Sequence, residues 1–331
     1  MSNAAPKPWR LTLSRPLPEW ERVFRSGALE GADVRVGPER GFESPDDLHA
    51  FVRGAQACVT WVTERIDDAF LDAAGAQLRV VSNFAVGFDN IDVDACRARD
   101  VIVTNTPDAV TEGTADVAWM LLMAAARRLA EGDRFVRSGA WEAHGSLGPT
   151  EFLGMPISGK TLCIVGAGRI GYATALRSIG WSMRVTYVAR SRKPRFEQAP
   201  LCAQRVSLEE GLRDADFVSI HTPLTDETRH MIGAHEFSLM KPTAVLVNTA
   251  RGPVVDESAL VEALGDRRLY AAGLDVFERE PKIHDGLRAL ENVVMTPHFG
   301  SGDMRCRLQM SELCARNVAN VLSGDGAVTP V

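Results

Sequence analysis

No run of apolar residues in this sequence is long enough to cross a bilayer. The longest, residues 117–126, ends at Arg127-Arg128, well short of the roughly 20 residues a spanning helix needs. An excess of positive charge is also missing. Lys and Arg number 37 against 43 Asp and Glu, a net charge of -6, so neither nucleic acid nor an anionic membrane is an expected partner. The cysteines Cys58, Cys96, Cys163, Cys202, Cys306 and Cys314 include no CxxC pair, and none has a His at zinc-like spacing. This excludes a sequence-readable metal centre and predicts free thiols, mostly buried, in a reducing compartment. Residues 1–11 lack the apolar stretch of a secretory signal, and no tract is of low complexity. Together these absences predict a cytoplasmic protein with no membrane contact.

What is present suits two domains. The chain has 331 residues, 45% hydrophobic and 24% charged, enough for each half to bury its own core. Short β-rich runs alternate with helical stretches, which predicts βαβ units and parallel sheets. In the first block strands are expected at 10–14, 32–36, 57–61, 78–84 and 101–104, with helices near 46–53 and 68–73. Pro107 closes it. A long helix is expected over about 114–137, apolar on nearly every side at its centre and so buried on more than one face. A second block predicts strands at 161–165, 183–188, 217–221, 244–248, 271–276 and 292–295. A final helix covers 305–322, and it could return to the first block.

The first expected strand of the second block runs straight into Gly166-Ala167-Gly168-Arg169-Ile170-Gly171, followed by a helix over 172–179 and another strand. GxGxxG alone is a weak signal. In a strand–turn–helix–strand context it is a dinucleotide fingerprint: Gly166 for the tight turn, Gly168 for close approach of a pyrophosphate, Gly171 for helix-on-strand packing. The phosphates would rest on helix N–H groups. An NAD-selective protein carries an acid near the end of the next strand. Here the sequence reads Tyr187-Val188-Ala189-Arg190-Ser191-Arg192-Lys193. With no acid and three cations, NADP is expected to be preferred over NAD, with Arg190 the first contact.

Three polar residues follow strands of this block: Arg251, Glu280 and His298. In open α/β sheets ligands bind outside the carboxyl ends of the strands, so the three are expected on one side. Their types suit carbonyl reduction. An Arg fork matches a carboxylate. A His transfers protons near neutrality, and hydride addition puts negative charge on an oxygen that needs a donor.

These stretches, with Asn83-Phe84-Ala85-Val86-Gly87-Phe88-Asp89-Asn90-Ile91-Asp92, Thr104-Asn105-Thr106-Pro107, His221-Thr222-Pro223-Leu224-Thr225, Gly273-Leu274-Asp275-Val276-Phe277 and Thr296-Pro297-His298, make the chain resemble the D-isomer-specific 2-hydroxyacid dehydrogenases, especially glyoxylate and hydroxypyruvate reductases. The resemblance implies an α/β fold of two doubly wound parallel-sheet domains. A Rossmann NAD(P) domain, 108–298, would be inserted into a discontinuous flavodoxin-like substrate domain, 1–107 and 299–331. It further implies a homodimer and a small 2-oxo or 2-hydroxy acid as substrate. Arg251 would bind the carboxylate and polarise the C2 carbonyl, His298 would donate the proton, and Glu280 would hydrogen-bond His298. Backbone N–H groups at Val86 and Gly87 would hold the carboxylate, with Trp61 and Val62 bounding the substrate tail. Asp275 would orient the nicotinamide carboxamide. Arg169, Ile170, Ser191, Arg192, His221, Thr222, Pro223, Thr249, Ala250 and Gly300 would complete the cofactor contacts.

The sequence departs from the family at Gly302-Asp303, where Ala-Thr is frequent. Asp303 would either narrow the substrate range or face solvent. Trp61 would trim the pocket to two- or three-carbon acids or swing out. Trp141 resembles an aromatic that reaches the neighbouring subunit's site in some members. No Arg lies between Thr60 and Thr63, and no regulatory domain is expected past Val331; both speak against a phosphoglycerate dehydrogenase. Glu280 speaks against a formate dehydrogenase, which needs no acid–base relay. A D-lactate or 2-ketogluconate reductase stays open. So does, from another class, a dinucleotide-sensing corepressor-like scaffold, which turnover of glyoxylate would distinguish.

Overall fold

A computed structural model describes residues 9–331; most of the expectation for residues 1–11 therefore lies outside the described residues. The chain forms two compact units. One comprises the described residues up to Val110 together with Ser301–Val331, the other Thr111–Gly300.

The first unit holds a five-stranded parallel sheet: β1 Arg10–Leu13, β2 Asp33–Val36, β3 Ala57–Thr60, β4 Val80–Asn83 and β5 Ile102–Thr104, in the order β2-β1-β3-β4-β5. Strands β3 and β4 are buried at every position, as strands covered on both faces are. One layer contributes Leu48, Val52, Phe70 and Leu71 to the core around Val81 and Val103. The helix Met304–Ser323 joins this unit. Its buried residues Cys306, Met310, Leu313, Cys314, Asn317, Val318 and Val321 recur at helical spacing, and its carbonyl at Leu322 accepts from Arg79 Nη1 at 2.8 Å. Asp303 caps it, accepting from Arg305 N at 2.9 Å and Cys306 N at 3.0 Å. That resolves the departure at Asp303: the acid satisfies orphan N–H groups at a helix start.

The second unit holds a seven-stranded parallel sheet: β6 Thr161–Val165, β7 Arg184–Val188, β8 Gln204–Arg205, β9 Phe217–Ile220, β10 Val245–Asn248, β11 Ala271–Leu274 and β12 Val293–Met295, in the order β12-β11-β10-β9-β6-β7-β8. The order reverses between β6 and β9, which creates the crevice where open α/β sheets bind ligands. The helix Thr111–Ala126 packs tightly on this sheet. Trp119 Nε1 donates to Thr174 O at 2.8 Å, and a Cβ at Gly273 would stand 2.8 Å from Leu121 Cβ.

Two expectations need correction. The helix expected over 114–137 is two helices, Thr111–Ala126 and Leu129–Arg137. Arg128 between them is left-handed, φ 55, and its guanidinium grips Glu131 at 2.6 Å and lies over Phe152. The first helix is largely buried and the second buries no residue. Strand β8 was not foreseen, because both its residues are exposed and no apolar pattern marks a two-residue edge. Among the described residues no helix is long and apolar enough to cross a membrane, and no His/Cys/Asp/Glu group could hold a metal. The six cysteines are free; Cys202 alone is exposed.

Candidate active site

The turn after β6 is built so that each glycine is needed for a different reason. Gly166 has φ 103, and a Cβ there would lie 2.6 Å from the His221 backbone. A Cβ at Gly171 would strike the Gly166 carbonyl oxygen at 2.3 Å. Both are required by the protein's own packing. A Cβ at Gly168, by contrast, would meet nothing within 4 Å. The space over Gly168 lies at the start of the helix Arg169–Arg177, whose first N–H groups have no side-chain cap. This is the cradle a pyrophosphate fills. Two orphaned polar atoms lie at the ends of neighbouring strands: Nδ1 of His221 after β9 and Oγ1 of Thr249 after β10 are buried without a hydrogen-bond partner. A cradle and unpaired polar atoms along the switch point fit a nicotinamide dinucleotide. Burial pushes the His221 imidazole down to about 3, and its Nε2 meets Ser219 Oγ at 2.8 Å. The following residues form a braced turn, in which Thr228 Oγ1 donates to Pro223 O at 2.7 Å and Thr222 Oγ1 faces Met231 Sδ.

The basic turn after β7 is less free than its sequence suggests. Arg192 is committed to Glu197, at 3.0 Å from Nε and 2.5 Å from Nη2. Glu197 also accepts from Tyr187 Oη at 2.6 Å, and these donors hold its carboxyl below the usual range. Arg190 and Ser191 are exposed. The main chain of the turn is held by Arg205, which donates to Ala189 O and Arg190 O at 3.0 Å.

Arg251, Glu280 and His298 follow β10, β11 and β12. Glu280 Oε2 lies 2.6 Å from His298 Nδ1, and its Oε1 accepts from Phe277 N at 2.9 Å. The carboxylate is thus anchored by backbone and holds the ring in one orientation, with Nε2 directed away. His298 adopts φ 50, a left-handed conformation that costs a non-glycine residue energy and is found at functional sites. Asp275 supports it from below. Its Oδ1 accepts from Thr296 Oγ1 at 2.6 Å and Phe299 N at 3.0 Å, and its Oδ2 from Gly300 N at 2.8 Å. Burial nonetheless pushes this carboxyl up. Asp275 therefore clamps the histidine loop, a role the sequence did not suggest.

Arg251 is positioned by Asn248, whose Nδ2 donates to Arg251 O and whose Oδ1 accepts from Ala250 N, both at 3.0 Å. A Cβ at Gly252 would lie 1.9 Å from the Phe277 carbonyl carbon, so glycine lets the arginine loop press against the loop that carries Glu280. A further acid pair, unforeseen from sequence, staples that loop. Glu257 and Glu278 each accept the other's backbone N–H, at 2.8 and 3.1 Å, and Glu278 meets His230 Nε2 at 2.9 Å.

In the first unit, Trp61 and Val62 follow β3, and Val86 and Gly87 follow β4. The carbonyls of Ala85 and Val86 accept from Thr106 N and Asn105 Nδ2, both at 2.8 Å. In a trans peptide the N–H lies opposite its carbonyl, so the N–H groups of Val86 and Gly87 turn away from that support. Trp61 does not swing out. Its ring stacks on Phe84 at 5.6 Å, and its backbone N–H donates to Glu64 Oε2 at 2.9 Å.

Comparison with known proteins places this architecture. Residues 119–300 match the family described as D-isomer specific 2-hydroxyacid dehydrogenase, NAD binding domain. A glyoxylate reductase of Thermococcus gammatolerans is 48% identical over 297 residues, covering 89% of this chain and 88% of that protein. A crystal structure of a Thermus thermophilus protein superposes with TM-score 0.89 at 41% identity, covering 97% of this chain and 99% of the other. An NADPH-dependent glyoxylate/hydroxypyruvate reductase of Sinorhizobium meliloti, solved with NADP and malonate, superposes with TM-score 0.83 at 30% identity, covering 98% and 97%. Two parallel α/β sheets, a glycine cradle and an Arg, Glu and His at successive strand ends agree with these likenesses: the chain belongs to the D-isomer-specific 2-hydroxyacid dehydrogenase family.

Proposed function

We propose that the protein reduces a small 2-oxo acid of the glyoxylate or hydroxypyruvate type to the D-2-hydroxy acid, preferring NADPH to NADH. The observation that carries this reading is the His298–Glu280 pair at 2.6 Å. Glu280 occupies Nδ1, so Nε2 is the nitrogen that hands a proton to the carbonyl oxygen. A nicotinamide, when bound, would supply the hydride. Arg251 pairs with the substrate carboxylate through its planar fork and draws charge from the C2 carbonyl. In the first unit the proposed substrate contacts are the N–H groups of Val86 and Gly87, for a carboxylate, and Trp61 and Val62, for the tail. Holding the acid at its carboxylate fixes which face of C2 is presented.

Gly166, Gly168, Arg169, Ile170 and Gly171 receive the pyrophosphate in this proposal, and His221, Thr222, Pro223, Thr249, Ala250, Asp275 and Gly300 line the nicotinamide side. Preference for NADPH rests on Val188, which puts no carboxylate where a ribose 2′-OH would be bound. It rests also on Arg190 and Ser191, exposed just past β7. Arg192 contributes less, because Glu197 already neutralises it. Free thiols fit a cytoplasmic setting. The exposed apolar residues of 120–153 fit a homodimer, with Trp141, 47% exposed, reaching the partner's site.

The test is kcat/KM for glyoxylate and hydroxypyruvate with each cofactor, in the parent and in His298→Ala. General-acid loss predicts a fall in kcat of about 10²–10⁴-fold. Near-normal turnover in the variant, or no turnover of either acid by the parent, would overturn the assignment.

A further inference from the structure

Trp61 carries a second cation besides the one that is obviously paired. Arg15 lies 5.3 Å from the indole centroid and is bound by Glu64 Oε1 at 3.3 Å. Arg307, in the first turn of the helix Met304–Ser323, lies 4.7 Å from the same indole and 5.8 Å from the Phe84 ring. Its guanidinium has no hydrogen-bond acceptor or ion-pair partner among the described residues. Asp303, whose charge acts on Arg307, makes its hydrogen bonds to the backbone N–H groups of Arg305 and Cys306. The site is half-buried, and desolvation weakens the guanidinium's hold on its proton. Stacking on two rings returns part of that cost. The N–H donors of the fork stay open to solvent or to a ligand, since stacking uses only the face of the guanidinium.

The position of this fork is informative. Trp61 follows β3 and Phe84 follows the adjacent β4, at the carboxyl edge of the sheet, and Phe84 is two residues before Val86. Any acid held by the Val86 and Gly87 N–H groups therefore has Phe84, and the cation stacked on it, as a close neighbour along the chain.

We propose that Arg307 is a specificity-determining residue that binds an oxygen substituent on C3 of the substrate. It would favour 2-oxo acids whose C3 bears a hydroxyl or a second carboxylate over those whose C3 bears only hydrogen. Trp61 and Phe84 hold the guanidinium beside their rings, so it offers N–H groups from a fixed place rather than a mobile charge. The inference rests on the proposed reduction of 2-oxo acids and names the substrate class within it.

The test uses one series that varies only at C3: pyruvate, hydroxypyruvate and oxaloacetate, assayed with NADPH in the parent, Arg307→Met and Arg307→Lys. Arg307→Met should lower the hydroxypyruvate-to-pyruvate ratio of kcat/KM by about ten- to a hundredfold, the loss of one charge-assisted hydrogen bond. The fall should be mainly in KM. A larger fall for oxaloacetate identifies the preferred group as a carboxylate, and a larger fall for hydroxypyruvate identifies a hydroxyl. Arg307→Lys, which keeps the charge without the planar fork, should restore part of the ratio. It also carries the test if the methionine variant does not fold. Parallel losses on all three acids would make Arg307 a structural prop and overturn the inference while leaving the proposed function standing. A parent that reduces none of them would overturn both.

Discussion

At the scale of single residues, the site works by committing one face of each group so that the other is presented. Glu280 is held by Phe277 N before it holds His298, and Asp275 spends its oxygens on the loop that follows. His221 is the exception, a buried imidazole with one unpaired nitrogen, and it makes a stability prediction. Its ordinary value is 6.5 and burial lowers it to about 3. The unfolded chain therefore takes up the proton first. The stability of the neutral ring is full above pH 6.5 and is lost as pH falls toward 3, by at most about 1.4 kcal/mol per pH unit. Between pH 7.5 and 5 the cofactor-free protein should lose about 2 kcal/mol on this account. His221→Gln should show a smaller drop in Tm over that range; equal drops in parent and variant would remove His221 from the acid lability.

At the scale of elements, the turn joining β6 to the helix Arg169–Arg177 separates folding from binding. Gly166 and Gly171 are required by backbone contacts inside the protein, whereas Gly168 opens on empty space. Gly168→Ala should thus leave Tm within a few degrees of the parent and raise the Kd for NADPH at least tenfold, because its methyl stands where the pyrophosphate approaches. Gly166→Ala should lose stability outright, by an amount on the order of 2 kcal/mol or more, since an L side chain is strained at φ 103. Thermal melts and a cofactor titration by protein fluorescence decide this. If Gly168→Ala binds NADPH as the parent does, the cradle is not the cofactor's.

At the scale of the whole molecule, the second unit presents several apolar residues that its own core does not use. Met120 is 49% exposed, Leu129 65%, Val136 53% and Leu153 62%, all within 34 residues of the second unit. On the proposed homodimer these residues form the association site, and a two-fold partner would offer the same patch in return. The parent should therefore elute as a dimer, and Val136→Asp should shift it toward monomer in light scattering. A parent that is monomeric at micromolar concentration would refute the homodimer.

Most of the parallel-strand pattern and the chemistry were legible along the chain, because both are local. Continuous apolar runs such as Thr161–Val165 mark strands buried on both faces, and the glycine spacing after β6 marks the turn itself. Arg251, Glu280 and His298 could be picked out because each stands just past a strand. What the text of the sequence could not carry was which partner each charge would choose. Arg192 reads as a phosphate ligand until Glu197 takes it, and Asp303 as a pocket acid until it caps a helix; Arg307, which carries no motif, is marked only by the rings of Trp61 and Phe84 beside it. The break at Arg128, too, depends on Glu131 and Phe152. Sequence alone determined most of the strands, the cofactor turn and the kind of reaction, since each rests on the period and type of neighbouring residues. Tertiary structure alone decided which charges are spent on the fold and which remain for a ligand, because that depends on contacts as distant as the 246 positions between Trp61 and Arg307.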